Sequence, residues 1–270
     1  MQQCAPSIVR FRRPLLFSPF STLFLTPFAY DLSLSLVDPL LDCLCTFLEA
    51  SIHQLLHNRG VYPNELFERT KLFNIPVHRM RSIEVCEYIS DVVSSAKHWL
   101  QSDLVESLVL QLNDAATGAM LENFIFELHG TSLLCSLPSH LTSKELDTLL
   151  LQLESTLRSF LVRSTQAGSR LGGNLEARPS AAASLTLTPS DERKSPALPF
   201  SWKIFLLTYE VEEGASLLWR MAWIEAEEDE ISVPGDVAVT PIRSHTKSSG
   251  NALDGFTIQL LVEKSQTSNT

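Results

Sequence analysis

His53 and His57 stand four residues apart, a spacing that can place two imidazoles over one metal ion, and Cys43 and Cys45 lie close before them. This is the strongest metal-like pattern in the chain, and it is thin. Metal centres need three or four converging ligands, and cysteines two apart on a helix point to different sides. There is no HExxH or paired CxxC motif, no glycine-rich phosphate loop, no GxSxG elbow and no kinase motif set. Carboxylates cluster only as the run Glu225, Glu227, Glu228, Asp229 and Glu230, which reads as a solvated acidic loop or a surface for a basic partner. Trp219, Met221 and Trp223 alternate just before that run, as a core face or an interface anchor would. Tyr88 borders the apolar stripe of a helical segment, where core packing and projection towards a groove both remain open. The chemistry on offer is recognition, and no cofactor is expected.

The elements that must position these residues follow from periodicity. Asp38-Pro39 opens a helix, since Asp suits an N-cap and Pro the first helical position. Leu41, Leu44, Leu48, Ile52, Leu55 and Leu56 form its apolar stripe, and Gly60 stops it. Ile83, Cys86, Ile89, Val93, Ala96 and Leu100 predict a second helix, with a strand-like stretch from Leu66 to Met80 between the two. Leu104–Leu112 and Leu121–Leu128 predict a hairpin around the turn-forming residues 113–118. Thr142 and Glu145 fit a capping box ahead of a third helix faced by Leu149, Leu150, Leu153, Leu157, Phe160 and Leu161. Residues 166–198 are rich in Ser, Ala, Pro and Gly without apolar periodicity, which predicts a flexible insert. Beyond it Phe200–Tyr209, Leu217–Ile224, Val237–Arg243 and Phe256–Glu263 read as strands. A tail of that size without a helix makes a poor core alone. One domain, its sheet completed from both sides of the insert, is therefore expected.

Composition narrows the function further. The 270 residues are 44% apolar and 19% charged, with a net charge of -10. The first thirty residues hold Arg10, Arg12 and Arg13 and no acid, leaving 18 basic against 31 acidic groups for the rest. Such a body repels phosphate backbones, so direct nucleic-acid binding is not expected. Five cysteines at irregular spacing predict reduced thiols and a cytosolic or nuclear setting. The uncharged stretch from Leu15 to Tyr30 is broken by Pro19 and Pro27 and is too short for a membrane span; its surroundings read as an unstructured leader, with a mitochondrial transit peptide as the other reading.

A set of words recurs in a familiar order. Phe47-Leu48-Glu49-Ala50-Ser51-Ile52-His53, Arg59-Gly60-Val61-Tyr62-Pro63, Leu66-Phe67, Phe73-Asn74-Ile75-Pro76-Val77 and Glu87-Tyr88-Ile89 resemble the HORMA domain of the accessory, non-catalytic subunit of translesion DNA polymerase zeta. The resemblance continues through Leu157-Arg158-Ser159-Phe160, Trp223-Ile224-Glu225-Ala226, Pro241-Ile242-Arg243 and Gln259-Leu260-Leu261-Val262-Glu263. It covers about residues 34–165 and 199–264, and the Tyr-Pro word is shared with the spindle-checkpoint HORMA protein.

The resemblance implies an α+β fold: one HORMA domain, three main helices packed on a mostly antiparallel sheet completed by a C-terminal safety-belt segment. Its parts would be an unstructured leader (1–30), the HORMA core (31–165), a disordered insert (166–198), the belt (199–264) and a tail (265–270). It further implies a non-enzymatic adaptor in translesion synthesis and DNA damage tolerance. Such a protein clasps a Pro-containing peptide of the polymerase zeta catalytic subunit, with Tyr88 and Trp223 lining the groove. Val239, Gln259 and Leu261 would dock the C-terminal domain of the scaffold translesion polymerase. Arg158 matches a self-association position for homodimers or HORMA heterodimers, though an exposed helix arginine is equally ordinary. An AAA+ remodelling ATPase is a further implied partner, and the nucleus, alongside the cytoplasm, the implied location. Two other readings remain: a spindle-checkpoint or meiotic HORMA adaptor, and a metal-binding protein built on His53 and His57.

Overall fold

The computed structural model describes residues 7–11, 38–101, 104–131, 134, 142–170, 198–209, 223–226, 240–243 and 256–264. Helix α1 (Asp38–Asn58) ends as its sequence demands. Gly60 adopts φ 63°. Its N–H donates to the His57 carbonyl (3.0 Å) and the Val61 N–H to the Leu56 carbonyl (3.1 Å), a Schellman motif closed by buried Val61 and Leu56. Tyr62-Pro63 then leads through a single 3-10 turn (Asn64–Leu66) into strands β2 (Phe67–Leu72) and β3 (Ile75–Met80). The expected strand-like stretch is thus a hairpin. Its turn residues Phe73 (φ 47°) and Asn74 (φ 62°) are both left-handed, the two-residue geometry whose twist matches paired strands.

Helix α2 (Ile83–Gln101) precedes the hairpin of β4 (Val105–Asp114) and β5 (Met120–His129). In the connecting loop the Asp114 carboxylate accepts the Ala116 and Thr117 N–H groups at 2.7 and 3.0 Å. Helix α3 (Ser143–Arg170) opens on the expected capping box, with the Thr142 N–H donating to Glu145 Oε2 at 2.8 Å and the Glu145 N–H to Thr142 Oγ1 at 3.4 Å. It runs further than its apolar face implied, through residues 166–170, so the insert expected from 166 begins later. Gln166 and Ala167 are tolerated in helices, which lets the backbone hydrogen bonding continue there. Residues 171–197 lie outside the described residues.

Strands β6 (Phe200–Thr208), β7 (Trp223–Glu225), β8 (Thr240–Arg243) and β9 (Thr257–Lys264) follow. The seven-stranded sheet has the order β7-β1-β6-β4-β5-β9-β8, and its pairs are antiparallel. β6 pairs with β4 from Asp114↔Phe200 to Val105↔Thr208, and β9 with β5 from Glu122↔Lys264 to His129↔Thr257. The segment after the insert therefore completes the sheet of the first half on both sides. One face holds the core: Phe47 of α1 meets Phe160 of α3 edge-on at 5.3 Å, over Phe126, Leu110, Ile204 and Leu260. Burying rings this size stabilises by roughly 2–3 kcal/mol each, which fixes the helices to that face. Among the described residues no helix is long and apolar enough to cross a membrane.

One strand departs from expectation. Residues 1–30 were to be an unstructured leader, yet Ser7–Phe11 forms β1, inside the sheet. Five residues bounded by prolines and arginines give too short a period to signal a strand; a neighbour on each edge supplies what the sequence alone does not.

Candidate functional site

The site is built on a gap between β6 and β7. These strands are consecutive in the sheet's C-terminal half, yet they do not pair with each other; β1 lies between them. Ser7, Ile8, Val9 and Arg10 stand opposite Thr208, Leu207, Leu206 and Phe205, while Val9, Arg10 and Phe11 stand opposite Glu225, Ile224 and Trp223. A strand in this position has its main-chain donors and acceptors satisfied on both edges, whatever its side chains.

Helix α2 lies against this gap through two contacts on one of its stripes. Tyr88 packs its ring edge-on to Trp202 of β6 (centroids 5.3 Å, 73°). Trp202 Nε1 in turn donates to Tyr62 Oη at 3.0 Å, which ties the Tyr-Pro word to the same cluster. Two turns on, about 10 Å along the axis, Ser95 Oγ accepts a 3.0 Å hydrogen bond from Trp223 Nε1 of β7. Tyr88 is half-buried and Trp223 only 4% exposed. Of the two residues singled out for peptide contact, Tyr88 thus reaches from α2 to β6, and Trp223 is hydrogen-bonded from β7 to α2. Sequence reasoning missed Trp202 and Ser95. The alternation Phe200, Trp202, Ile204, Leu206 carried a signal for the first; a lone helical serine carried none.

On β9, Ile258, Leu260 and Val262 are buried in the core, and Gln259 and Leu261 alternate onto the opposite face, half-buried. They stand opposite Glu127 and Ile125 of β5, and opposite Arg243 and Pro241 of β8. Val239 lies outside the described residues. Arg158 is exposed on α3 and shares its stripe with Leu151, seven residues earlier and 67% exposed.

His53, His57, Cys43 and Cys45 are buried or half-buried on α1. His53 is buried on α1, and burial, with Arg79 nearby, brings its pKa down to about 4. His57 stacks flat on His78 of β3 (3.6 Å, 3°), and Gln54 Oε1 accepts the His78 N–H at 2.8 Å. Burial lowers the pKa of His57 and, with the charges of His57 and Arg69, that of His78. Burial pushes the Cys43 and Cys45 thiols up to about 12, so neither supplies a thiolate at neutral pH. Among the described residues no three His, Cys, Asp or Glu side chains converge as metal ligands would.

The histidine cluster sets a pH dependence. A folded-state pKa below the unfolded value of 6.5 means that the unfolded chain binds protons first, so stability is full above pH 6.5 and declines as pH falls toward about 4. His53 alone contributes a loss of up to about 3 kcal/mol, and His57 and His78 act in the same direction. Urea unfolding at pH 7.5 and 4.5 tests this: His53→Leu should show a visibly smaller acid loss than the parent, and equal losses would remove the assignment.

The class of fold is a helix-covered antiparallel sheet in which one strand lies between two strands of the C-terminal segment. Residues 41–161 match the model of the HORMA domain, and the fold is that of HORMA structures. The chain is 32% identical over 133 residues to the mitotic spindle assembly checkpoint protein MAD2B of Homo sapiens, covering 49% of this chain and 59% of that relative. It is 28% identical over 87 residues to human MAD2A, covering 32% of this chain and 42% of that relative. It thus spans well under two thirds of these relatives' own length. A solved structure titled Crystal Structure of Mitotic Checkpoint Complex superposes with a TM-score of 0.55 at 15% identity, over 83% of this chain and 98% of that one. C. elegans HTP-2 bound to a HIM-3 closure motif gives a TM-score of 0.54 at 9% identity, over 84% of this chain and 91% of that one. At such identities these two likenesses show the fold.

Proposed function

We propose that the chain is a non-enzymatic adaptor that clasps an extended, Pro-containing peptide of the DNA polymerase zeta catalytic subunit and bridges it to a scaffold translesion polymerase in the nucleus. The observation that carries this is the strand position between β6 and β7, hydrogen-bonded on both edges and flanked by Tyr88 and Trp223. Main-chain bonds of an added strand supply affinity and side-chain pockets supply register. The similarity to MAD2B and the shared sequence words support the polymerase partner. Gln259 and Leu261, adjacent on the face of β9 away from the helices, together with Val239, offer the scaffold contact, and Leu151 and Arg158 on α3 the self-association face. Belt remodelling by an AAA+ ATPase fits a clasp that must open to exchange its strand.

Calorimetry with a peptide of the catalytic subunit tests the reading. Binding is expected, and Tyr88→Ala should weaken it about 30-fold, the loss of roughly 2 kcal/mol typical of a rigid aromatic anchor. No binding, either by the parent chain or by a folded chain lacking residues 1–14, would overturn the polymerase role. The MAD2B and MAD2A names favour a second reading, a spindle-checkpoint adaptor. Side-by-side titration with a checkpoint-receptor peptide separates the two.

A further inference from the structure

The strand between β6 and β7 comes from this chain itself, and consecutive sheet strands usually pair directly. Here a five-residue segment from the other end of the sequence keeps them apart. β7 has three residues, and among the described residues its partner in the sheet order is β1, so its place depends on whatever fills the gap. The pairing that holds β1 is short, four register positions on β6 and three on β7. Arg12-Arg13-Pro14 follow it in the sequence, and proline, lacking an N–H, cannot extend such a ladder as a donor.

We infer that Ser7–Phe11 is a built-in, displaceable occupant of the strand site: the chain carries its own pseudo-ligand, and a partner strand binds by expelling it. This rests on the strand-clasping reading above, though not on the partner's identity. Twenty-six residues separate Phe11 from Asp38, so the occupant acts within the molecule. A tethered competitor acts at an effective concentration of order mM, and so weakens any free strand that needs the same edges. The occupant also defines the kind of ligand that fits. It is an extended segment with adjacent β-branched residues and an aromatic two positions on, as in Ile8-Val9-Arg10-Phe11, whose cation-bearing composition opposes the net acidity of the rest of the chain.

The experiment needs only this chain. A synthetic peptide of residues 5–16 is titrated into the full chain and into a chain lacking residues 1–14. The truncated chain should bind it at least about tenfold more tightly than the full chain. The same peptide carrying Val9→Pro, which removes a main-chain donor, should not bind. Since truncation can impair folding, a second version keeps the folded protein: a protease site is placed within residues 20–30 of the full chain. After cutting, the freed N-terminal fragment should exchange with fluorescein-labelled peptide. A fragment that stays bound without exchanging over days makes β1 a permanent strand and overturns the inference, as does a truncated folded chain with no affinity for the peptide. Full chain that runs as a dimer by light scattering and loses the dimer on truncation places β1 in a second copy, and overturns the intramolecular form. Binding of the 5–16 peptide alongside failure of the polymerase peptide would sink the proposed partner and leave this inference standing.

Discussion

Glu122→Ala should lower the unfolding free energy by about 3–5 kcal/mol, the cost of leaving a buried charge without its partner. Glu122 is 2% exposed on β5, and its Oε2 lies 2.8 Å from Nε of Arg59, itself 1% exposed. Its Oε1 lies 3.2 Å from Nζ of Lys264 at the end of β9. Arg59 caps α1 and sits 5.4 Å above the Phe124 ring. One carboxylate therefore joins the first helix, the central hairpin and the last strand. Desolvation already lowers the Arg59 pKa, with Glu122 opposing it, so the guanidinium has most to lose when the carboxylate goes. The Lys264 arm is partly solvated and worth less, about 0–1 kcal/mol. Urea unfolding of Glu122→Ala, Arg59→Met and the Arg59→Met/Glu122→Leu pair reads this directly. The double variant should recover most of the loss, because two apolar groups leave no orphaned charge. A Glu122→Ala loss under about 1 kcal/mol would show that water reaches the pair.

This ion pair was not legible in the sequence, although Arg59 stands in one of the recognised words. A buried arginine and a buried glutamate sixty-three positions apart carry no local period; only the sheet brings them together. The helices were legible because each buries a stripe at 3.6-residue spacing and advertises its ends: Gly60 for α1, Thr142 and Glu145 for α3. β9 was legible for the same kind of reason, since Phe256, Ile258, Leu260 and Val262 all enter the core. The β2–β3 turn escaped because Phe73-Asn74 lacks the glycine that usually marks two left-handed residues. β1 escaped because its stability is wholly tertiary. At the candidate site, Tyr88 and Trp223 came from resemblance. What the structure adds is the pair of contacts that tie α2 to the strands, Tyr88 on Trp202 of β6 and Ser95 to Trp223 of β7.

Trp223→Ala should produce a large effect confined to one place. Removing a buried tryptophan commonly costs about 3–5 kcal/mol, and this one also gives up its hydrogen bond to Ser95. The loss cannot be charged in full to the global unfolding free energy, because β7 is three residues long and joins the sheet through β1. Once the cost exceeds what holds that short strand, β7 detaches while the rest stays folded, and the global figure stops falling. The expected pattern is unprotected hydrogen exchange at residues 223–225 and near-parental protection in β4 and β5. Strand-peptide affinity should fall by more than the 30-fold expected for Tyr88→Ala, because one whole edge of the site is lost. Trp223→Phe, which keeps much of the apolar volume but loses the indole donor and part of the ring, should sit between the parent and Trp223→Ala. Uniform loss of protection across β4, β5 and β7 in Trp223→Ala would mean that β7 unfolds only with the whole domain. A clasp that cannot open independently could not exchange its strand, and the adaptor mechanism would fail with it.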